Sequence, residues 1–488
     1  MPIVLFSGLT YAHEILLKAF LEHLGYEADR LPEPDNEALR IGKTYCNKGE
    51  CNPLYYTAGN IVKYLLALRE RGEPDIEANY VYITAGSCGP CRFGMYETEY
   101  RKAVRDAGFG DFRIIALQQS QALLSDLEEV GFALRRKCFL GFVKAFIAAD
   151  LVNNLYYKTK PYERESGSID RWKTGTLEAL ALALRTGTPL RRSLREARNL
   201  LGRVELDYFR PKPLVKITGE FFSQMQEGDA NYRLPGWLVE EGAEPIVEPI
   251  TTWLDYLIWS RVRHALARAF RSWAKAARLI SLLFVLKAYI HHLYRRFRRA
   301  LGRKPDPLSP QRKLARYAEP YFNPQILGGE GHLEVGKHIH SIRERKAHLV
   351  VSVKPFGCMS STQSDGVQTK VARDIPESLF ISVDTSGDSE VNYKSRVLMK
   401  LYEAKQKAAS EYERAMRSAG LDPRRIEAIR KTRIFPKSGS LALPENGKRP
   451  GDGICTAARA LALLCGPALK RELRRVRRSL RDDSQNRS

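Results

Sequence analysis

Tyr80-Val81-Tyr82-Ile83-Thr84-Ala85-Gly86-Ser87-Cys88-Gly89-Pro90-Cys91-Arg92-Phe93-Gly94 is the stretch that decides the fold. Residues 80–84 are all β-branched or aromatic, the composition of a buried strand. A turn rich in Gly and Pro follows, carrying two cysteines, and beyond it a helix is expected over Glu97 to Ala107. That helix leads into a second strand, Phe112 to Leu117. On the other side, Ile61, Val62, Tyr64 and Leu65 mark a helix, and Ile3-Val4-Leu5-Phe6 a short strand. Between them Ile15, Leu16, Ala19, Phe20 and Leu24 recur at helical spacing until Gly25 stops the helix. Strands alternating with helices specify a parallel, doubly wound sheet.

The rhythm lapses and then restarts. Residues 139–201 are helical in pattern and break at Gly202. A strand Leu214 to Gly219, a helix around Leu234 to Glu241 and a strand Ala243 to Val247 then open a second unit. Strands at His348–Val353 and Leu379–Val383 and a helix from Val391 to Ser418 continue it. The expected fold class is α/β: two Rossmann-like parallel-sheet domains, residues 1–137 and residues 211–260 with 317–420. A helical connection, 138–210, joins them, a basic helical insert, 261–316, interrupts the second, and a basic, weakly ordered tail runs over 421–488.

With 488 residues the chain is too long for one compact core, and two to four units are expected. A hydrophobic share of 44% and a charged share of 28% describe a folded chain, not a disordered one. The net charge of +23 points to a polyanionic partner, but it is unevenly placed. Residues 261–316 hold sixteen Lys/Arg against the single acid Asp306, and the segment after Gly466 holds eight against three. The rest is nearly neutral, which excludes a uniformly basic nucleic-acid coat. Eight cysteines are too few for a disulfide scaffold. No signal peptide stands before Ile3, and the apolar run Leu279–Leu286 is far short of the roughly 20 residues that span a bilayer. A cytoplasmic location is the expectation, with clustered cysteines serving as metal ligands or redox groups.

Those cysteines are the most specific signal. Cys46 and Cys51 form C-x4-C before a helix starting near Pro53. Cys88 and Cys91 form C-x2-C after the strand 80–84, and Cys358 follows the strand 348–353 in Pro355-Phe356-Gly357-Cys358-Met359. All three segments read as strand-to-helix junctions, where open α/β sheets collect ligands and helix N-termini offer N–H donors. Thiolate sites suit iron–sulfur clusters and zinc alike, and unliganded thiols are the third reading. Gly86, Gly89 and Gly94 favour a cluster, because glycine lets backbone amides approach inorganic sulfide closely. Cys465, inside the helical run 457–464, reads as a small hydrophobe, while Cys138 and Cys455 stay ambiguous. Glu220, Asp384 and Glu390 lie at the same sheet edge and suit acid–base or substrate-orienting roles, with helix capping as the plainer one. Ser360, Ser361 and Thr362 suit capping or donation to a cluster or thioester. The cluster of His332, His338 and His340 lacks matching carboxylates and reads as core or surface histidine. No phosphate-binding glycine loop is visible.

Several of these segments recur, in this order, in one known group. They are Asn47-Lys48-Gly49-Glu50-Cys51-Asn52-Pro53, Gly89-Pro90-Cys91-Arg92-Phe93-Gly94-Met95-Tyr96, Gly329-Glu330-Gly331-His332-Leu333, Pro355-Phe356-Gly357-Cys358-Met359, and Asp384 through Ser389-Glu390-Val391-Asn392 to Arg396. The chain resembles the 2-hydroxyacyl-CoA dehydratase superfamily over about residues 1–255 and 320–410. Within it, the similarity is to the branch associated with ATP-dependent CoA-dehydratase activases and related to double-cubane-cluster reductases. The basic insert and the tail fall outside the resemblance.

The resemblance implies an iron–sulfur cluster, [4Fe-4S] or double-cubane, held between α/β domains by one cysteine from each motif: Cys51, Cys91 and Cys358. Cys46 and Cys88, and Cys138 after them, are the extra thiols a double cubane would need. Gly89, Arg92, Gly94 and Gly357 would line the cluster. The implied chemistry is one-electron reduction of an acyl-CoA thioester to a ketyl radical that expels the neighbouring hydroxyl, or a related low-potential reduction. No activase-type ATPase half is present in the sequence, so a separate ATP-dependent activase is the expected partner, with a second subunit or a copy of the chain beside it. An iron–sulfur electron carrier or scaffold and a zinc-stabilised binding protein with a basic helical surface are the alternatives. A membrane surface or nucleic acid contacting 261–316 ranks below these as a partner.

Overall fold

The strand–helix alternation builds two separate parallel sheets with the same strand order. The computed structural model describes residues 2–86, 91–117, 136–326, 329–387, 389–418, 420–422 and 424. The first sheet contains β1 (Ile3–Phe6), β2 (Ala28–Arg30), β3 (Tyr80–Ala85) and β4 (Arg113–Leu117), in the order β2-β1-β3-β4. The second contains β5 (Leu214–Gly219), β6 (Glu244–Ile246), β7 (Leu349–Pro355) and β8 (Leu379–Thr385), in the order β6-β5-β7-β8. Every pairing is parallel. In each sheet the chain steps outward to one side and then crosses back, leaving a switch point between β1 and β3 and another between β5 and β7. Ligands of open α/β sheets gather outside the carboxyl ends of strands at such a crevice.

Both strands at the centre of the second sheet are buried along their whole length, as near-continuous Val/Ile/Leu runs require. Helices Arg136–Thr159, Ser168–Arg185 and Leu190–Leu201 form a helical body around Ala148, Leu151, Leu155, Leu180 and Leu194. Tyr11–His23 and the end of the long helix Trp273–Ala300 pack on the same core, which also takes in Ile290, Leu293, Tyr294 and Phe297. Fully buried Lys158 ties this body to the loop after that long helix through Asp306, 2.7 Å away.

Two elements differ from the sequence reading. The short β2 and the helix Asn36–Tyr45 stand where no apolar run announces them. In consequence Cys46 and Cys51 sit in a turn between two helices, Asn36–Tyr45 and Asn52–Glu70, and not at a strand-to-helix junction. The helix Trp273–Ala300 is also long and apolar enough to cross a membrane by length and composition, although its uninterrupted apolar run is short. The tail from 425 onward, and with it Cys455 and Cys465, lies outside the described residues.

The helix Gly331–Arg343 packs beside the second sheet and is buried on nearly every residue, its histidines included. Burial, aided by Lys354, holds His338 down at about 3, and burial with Lys346 holds His340 at about 4. His338 stacks on Phe380 at 4.4 Å and shares a 2.8 Å hydrogen bond with Ser378. An unfolded histidine titrates near 6.5, so the unfolded chain takes up these protons first as the pH falls. The stabilisation is complete above pH 6.5 and is lost as the pH drops toward 4 and 3. Each histidine should cost about 2 kcal/mol by pH 5. Urea unfolding at pH 7 and pH 5 measures the loss. In His338→Gln the slope should flatten, and an unchanged slope would reject the assignment.

Candidate functional site

Three loops meet at the carboxyl edges of the two sheets, and each supplies a cysteine. Cys51 is the N-cap residue of Asn52–Glu70, with Pro53 in the first turn where no N–H is required. Cys91 follows β3 and is the N-cap residue of a short 3-10 turn, Arg92–Met95, that runs into the helix Tyr96–Asp106. Cys358 follows β7 and is the N-cap residue of Met359–Asp374, where its sulfur accepts the Ser361 N–H at 3.4 Å. Each cysteine therefore stands at the positive end of a helix or helical turn, and the Cys358 sulfur accepts one of its free N–H groups.

The loops are stitched together across the two sheets. Asn52 N–H donates to the Phe356 carbonyl at 3.2 Å. Gly357 comes so close to the first loop that a Cβ on it would lie 3.5 Å from the Glu50 carbonyl oxygen. Arg92 donates to the Gly49 carbonyl and stands 3.7 Å from the Glu50 carboxylate. The Cys51 sulfur shares a 2.9 Å hydrogen bond with the Tyr96 hydroxyl, buried beneath it.

Glu220 is the common neighbour. It follows β5, the strand beside β7, and its carboxylate caps the next helical turn by accepting from Phe222 and Ser223 N–H at 2.9 and 2.8 Å. Gly219 makes this placement possible. Its φ is +126°, and a Cβ there would sit 1.9 Å from the Val353 carbonyl oxygen. The charge of Glu220 acts on all three thiols, and that of Glu330 on Cys91 and Cys358.

The electrostatics follow from burial. Burial first, and then these carboxylates, push Cys91 up to about 11 and Cys358 up to about 12, and burial raises Cys51 as well. At neutral pH these thiols are protonated and poor nucleophiles. Glu330 is raised well above the usual carboxylate range by burial and by repulsion from Glu220 and Glu334, and burial also raises Glu220. A metal centre would displace the thiol protons and draw out thiolates. The donor set, three thiols at N-cap positions with the half-buried Glu220 and the buried Glu330 alongside, suits such a centre better than it suits cysteine catalysis.

Among the described residues, no group of three or more His, Cys, Asp or Glu side chains is arranged to hold a single metal ion. A single tetrahedral zinc needs all its ligands within about 2.3 Å of one point. A cubane carries an iron at each of four corners and accepts thiolates set farther apart. Three thiols on three separate loops are the donor type that a cubane takes.

The remaining sequence candidates divide. Ser361 is buried in the first turn after Cys358, with no hydrogen-bond partner for its hydroxyl among the described residues. Ser360 backs onto the Gly329 turn, where a Cβ would lie 2.2 Å from its own. Gly94 N–H closes the Cys91 turn by donating to the Cys91 carbonyl at 3.2 Å. Cys46 is buried in the same core cluster as Cys51. Burial and Glu99 push it up to about 12, and Lys102 and Glu50 are its other charged neighbours. Asp384 is exposed at the end of the edge strand β8, raised by burial and by Asp365, and Glu390 pairs on the surface with Lys394 at 2.6 Å. Cys88 and Gly89 lie outside the described residues, as does the side chain of Cys138.

Glu330 and His332 were not singled out as site residues by sequence. Their signal is the Gly329-Glu330-Gly331 frame, whose glycines let the turn close against Ser360 and Phe322. His332 lies between the rings of Tyr256 and Trp259, at 5.1 and 4.7 Å, and neither ring nitrogen has a partner among the described residues. Tyr96 enters the sequence reading only as the last residue of the Gly89–Tyr96 segment. No family model matches the chain, and no curated protein matches it either.

Proposed function

We propose that the protein holds an iron–sulfur cluster through Cys51, Cys91 and Cys358 and serves low-potential one-electron chemistry of the 2-hydroxyacyl-CoA dehydratase kind. The observation that carries this reading is that three cysteine loops from distant segments are stitched together, Asn52 N–H donating to the Phe356 carbonyl and Arg92 to the Gly49 carbonyl, beside the half-buried Glu220. The two sheets are read as two Rossmann-like units with the cluster between their carboxyl edges. When bound, the cluster would supply a low-potential electron and one iron without a thiolate. The chain's own groups set the surroundings. The Tyr96 hydroxyl orients the Cys51 sulfur, and the Ser361 N–H points at that of Cys358. Burial raises the Glu330 carboxyl well above the usual carboxylate range, which favours its donating a hydrogen bond to a substrate oxygen. Met95, Phe356 and Met359 ring the cysteine loops with exposed apolar surface, which supports a separate ATP-driven activator docking over the site.

Anaerobic purification with iron and acid-labile sulfide analysis and EPR tests the reading. Iron and sulfide in cubane proportion, with a spectrum that changes on adding an acyl-CoA, is the expected result. A cluster whose spectrum ignores every acyl-CoA would make the protein an electron carrier or scaffold. A colourless protein carrying zinc alone would overturn the proposal.

A further inference from the structure

The basic insert forms a helical hairpin whose outer half is covered by nothing among the described residues that could account for its composition. The helix Ile250–Ala267 runs out, a 3-10 turn at Ala269–Arg271 reverses the chain, and Trp273–Ala300 runs back. Asp255 braces the base, 3.0 Å from both Lys287 Nζ and His291 Nε2. Beyond that brace the hairpin projects by on the order of 20 Å, the length of the fourteen residues from Trp273 to Leu286. Large apolar side chains stand in solvent along it: Phe270 is 74% exposed, Trp273 72%, Leu282 65% and Val285 68%. Arg263, Arg268, Lys275 and Arg278 are exposed among them, and no acid occurs between Asp255 and Asp306.

We propose that this hairpin docks the protein on the surface of an anionic phospholipid bilayer. Two observations select lipid over other occupants. The first is how far around the helix the apolar surface extends. Seven of the eight residues 279–286 are apolar. Ile280, Leu283 and Leu286 are the half-buried ones, while Leu279, Leu282, Phe284 and Val285 are exposed across about 220° of the circumference at 100° per residue. A groove on a protein partner covers one stripe of a helix, whereas acyl chains and headgroups cover all of it. The second is charge. Interfacial helices pair an apolar body with Lys and Arg whose long stems carry the charge up to the phosphates, as these four residues can. A second copy of the chain would bring like charge against like charge, and nucleic acid offers nothing to cover Phe284 or Val285.

The contact is peripheral and does not cross the bilayer. Trp273–Ala300 has the length and composition of a span, yet Ile290, Leu293, Tyr294 and Phe297 in its second half are buried in the helical body. The free half is shorter than the roughly 20 residues that a span needs. The root of the hairpin also adjoins the cysteine site, because Tyr256 donates to the Gly329 carbonyl at 2.9 Å and Trp259 packs on His332. A docked hairpin would therefore hold the site close to the bilayer surface.

Vesicle flotation of the full-length protein tests this, with phosphatidylcholine alone or mixed with phosphatidylglycerol, at low and high salt. Binding is expected to the mixed vesicles only and to weaken with salt. Leu282→Ser combined with Val285→Ser should reduce binding by at least about tenfold while the thermal melt stays unchanged. Arg263→Gln, Arg268→Gln, Lys275→Gln and Arg278→Gln together should remove the preference for phosphatidylglycerol. The proposal fails if the protein ignores both vesicle types, if both variant sets bind as the parent does, or if the serine variant instead dissociates a dimer. It also fails if duplex DNA competes fully for binding and the serine substitutions leave that competition intact.

Discussion

Alanine in place of Cys51, Cys91 or Cys358, one at a time, is expected to leave the anaerobically purified protein with background iron and sulfide and without visible absorption. Each thiol sits on a separate loop at the N-cap position of its own helix or turn, so each variant removes one independent donor. The loss should exceed that of an outer-sphere change. Tyr96→Phe removes only the 2.9 Å hydrogen bond to Cys51 and should weaken iron binding by roughly 10–100-fold. Cys46→Ala separates the cluster types. Cys46 has Glu99 and Lys102 as its charged neighbours and is not one of the three helix N-cap cysteines, so a single cubane held by those three predicts unchanged iron. Iron falling by about half would instead favour two linked cubanes that depend on Cys46. If all four cysteine variants keep full iron, the cysteines are core residues and the cluster reading is wrong.

Gly59→Ala should destabilise the protein and weaken iron binding together. In an ordinary helix interior this change gains about 1 kcal/mol, because alanine is the better helix former. Gly59 is not in ordinary surroundings. A Cβ there would lie 1.7 Å from the Ala38 carbonyl oxygen, and one on Gly42 would lie 1.9 Å from the Tyr55 carbonyl oxygen. Helices Asn36–Tyr45 and Asn52–Glu70 thus touch backbone to backbone, with Asp35 bound to Lys63 at 2.6 Å alongside. Backbone cannot turn aside as a side chain can, so the helices must separate. The expected cost reaches or passes the upper end of the ~1–3 kcal/mol typical of overpacking. The turn that carries Cys51 joins these two helices, so their separation shifts the sulfur as well. Gly175→Ala is the control. Nothing lies within 4 Å of its would-be Cβ, and it should stabilise the helix Ser168–Arg185. Thermal melts of the two variants should move in opposite directions, and a melt of Gly59→Ala at or above the parent's would refute the contact.

Much of the fold is legible in the sequence. The strands β1, β3, β4, β5, β7 and β8 all coincide with apolar or β-branched runs, with ends displaced by two residues at most. What escapes is short or buried and polar. β2 is Ala28-Asp29-Arg30, which has one apolar residue and no pattern to read. The helix Asn36–Tyr45 buries Ala38, Leu39 and Gly42, a single large apolar residue between two small ones, too little to advertise a core face. The helix Gly331–Arg343 buries Glu334, Lys337, His338 and His340, which a hydropathy pattern counts as solvent-facing. Their burial is tolerated because partners are supplied from afar: Ser364 and Gln368 for Glu334, and Ser378 for His338.

By itself the sequence determined the α/β rhythm, the segregation of positive charge into one insert and one tail, and the presence of cysteines at loop–helix boundaries. Periodicity and composition report local environment, and these are local properties. The tertiary structure decided which of those boundaries meet. It brought Cys51, Cys91, Cys358, Glu220 and Glu330 to one edge, and left Cys46, Asp384 and Glu390 outside that group. That choice rests on the crossover order of two sheets and on close backbone approaches at Gly42, Gly59 and Gly219. Contacts between residues hundreds of positions apart leave no period in the chain.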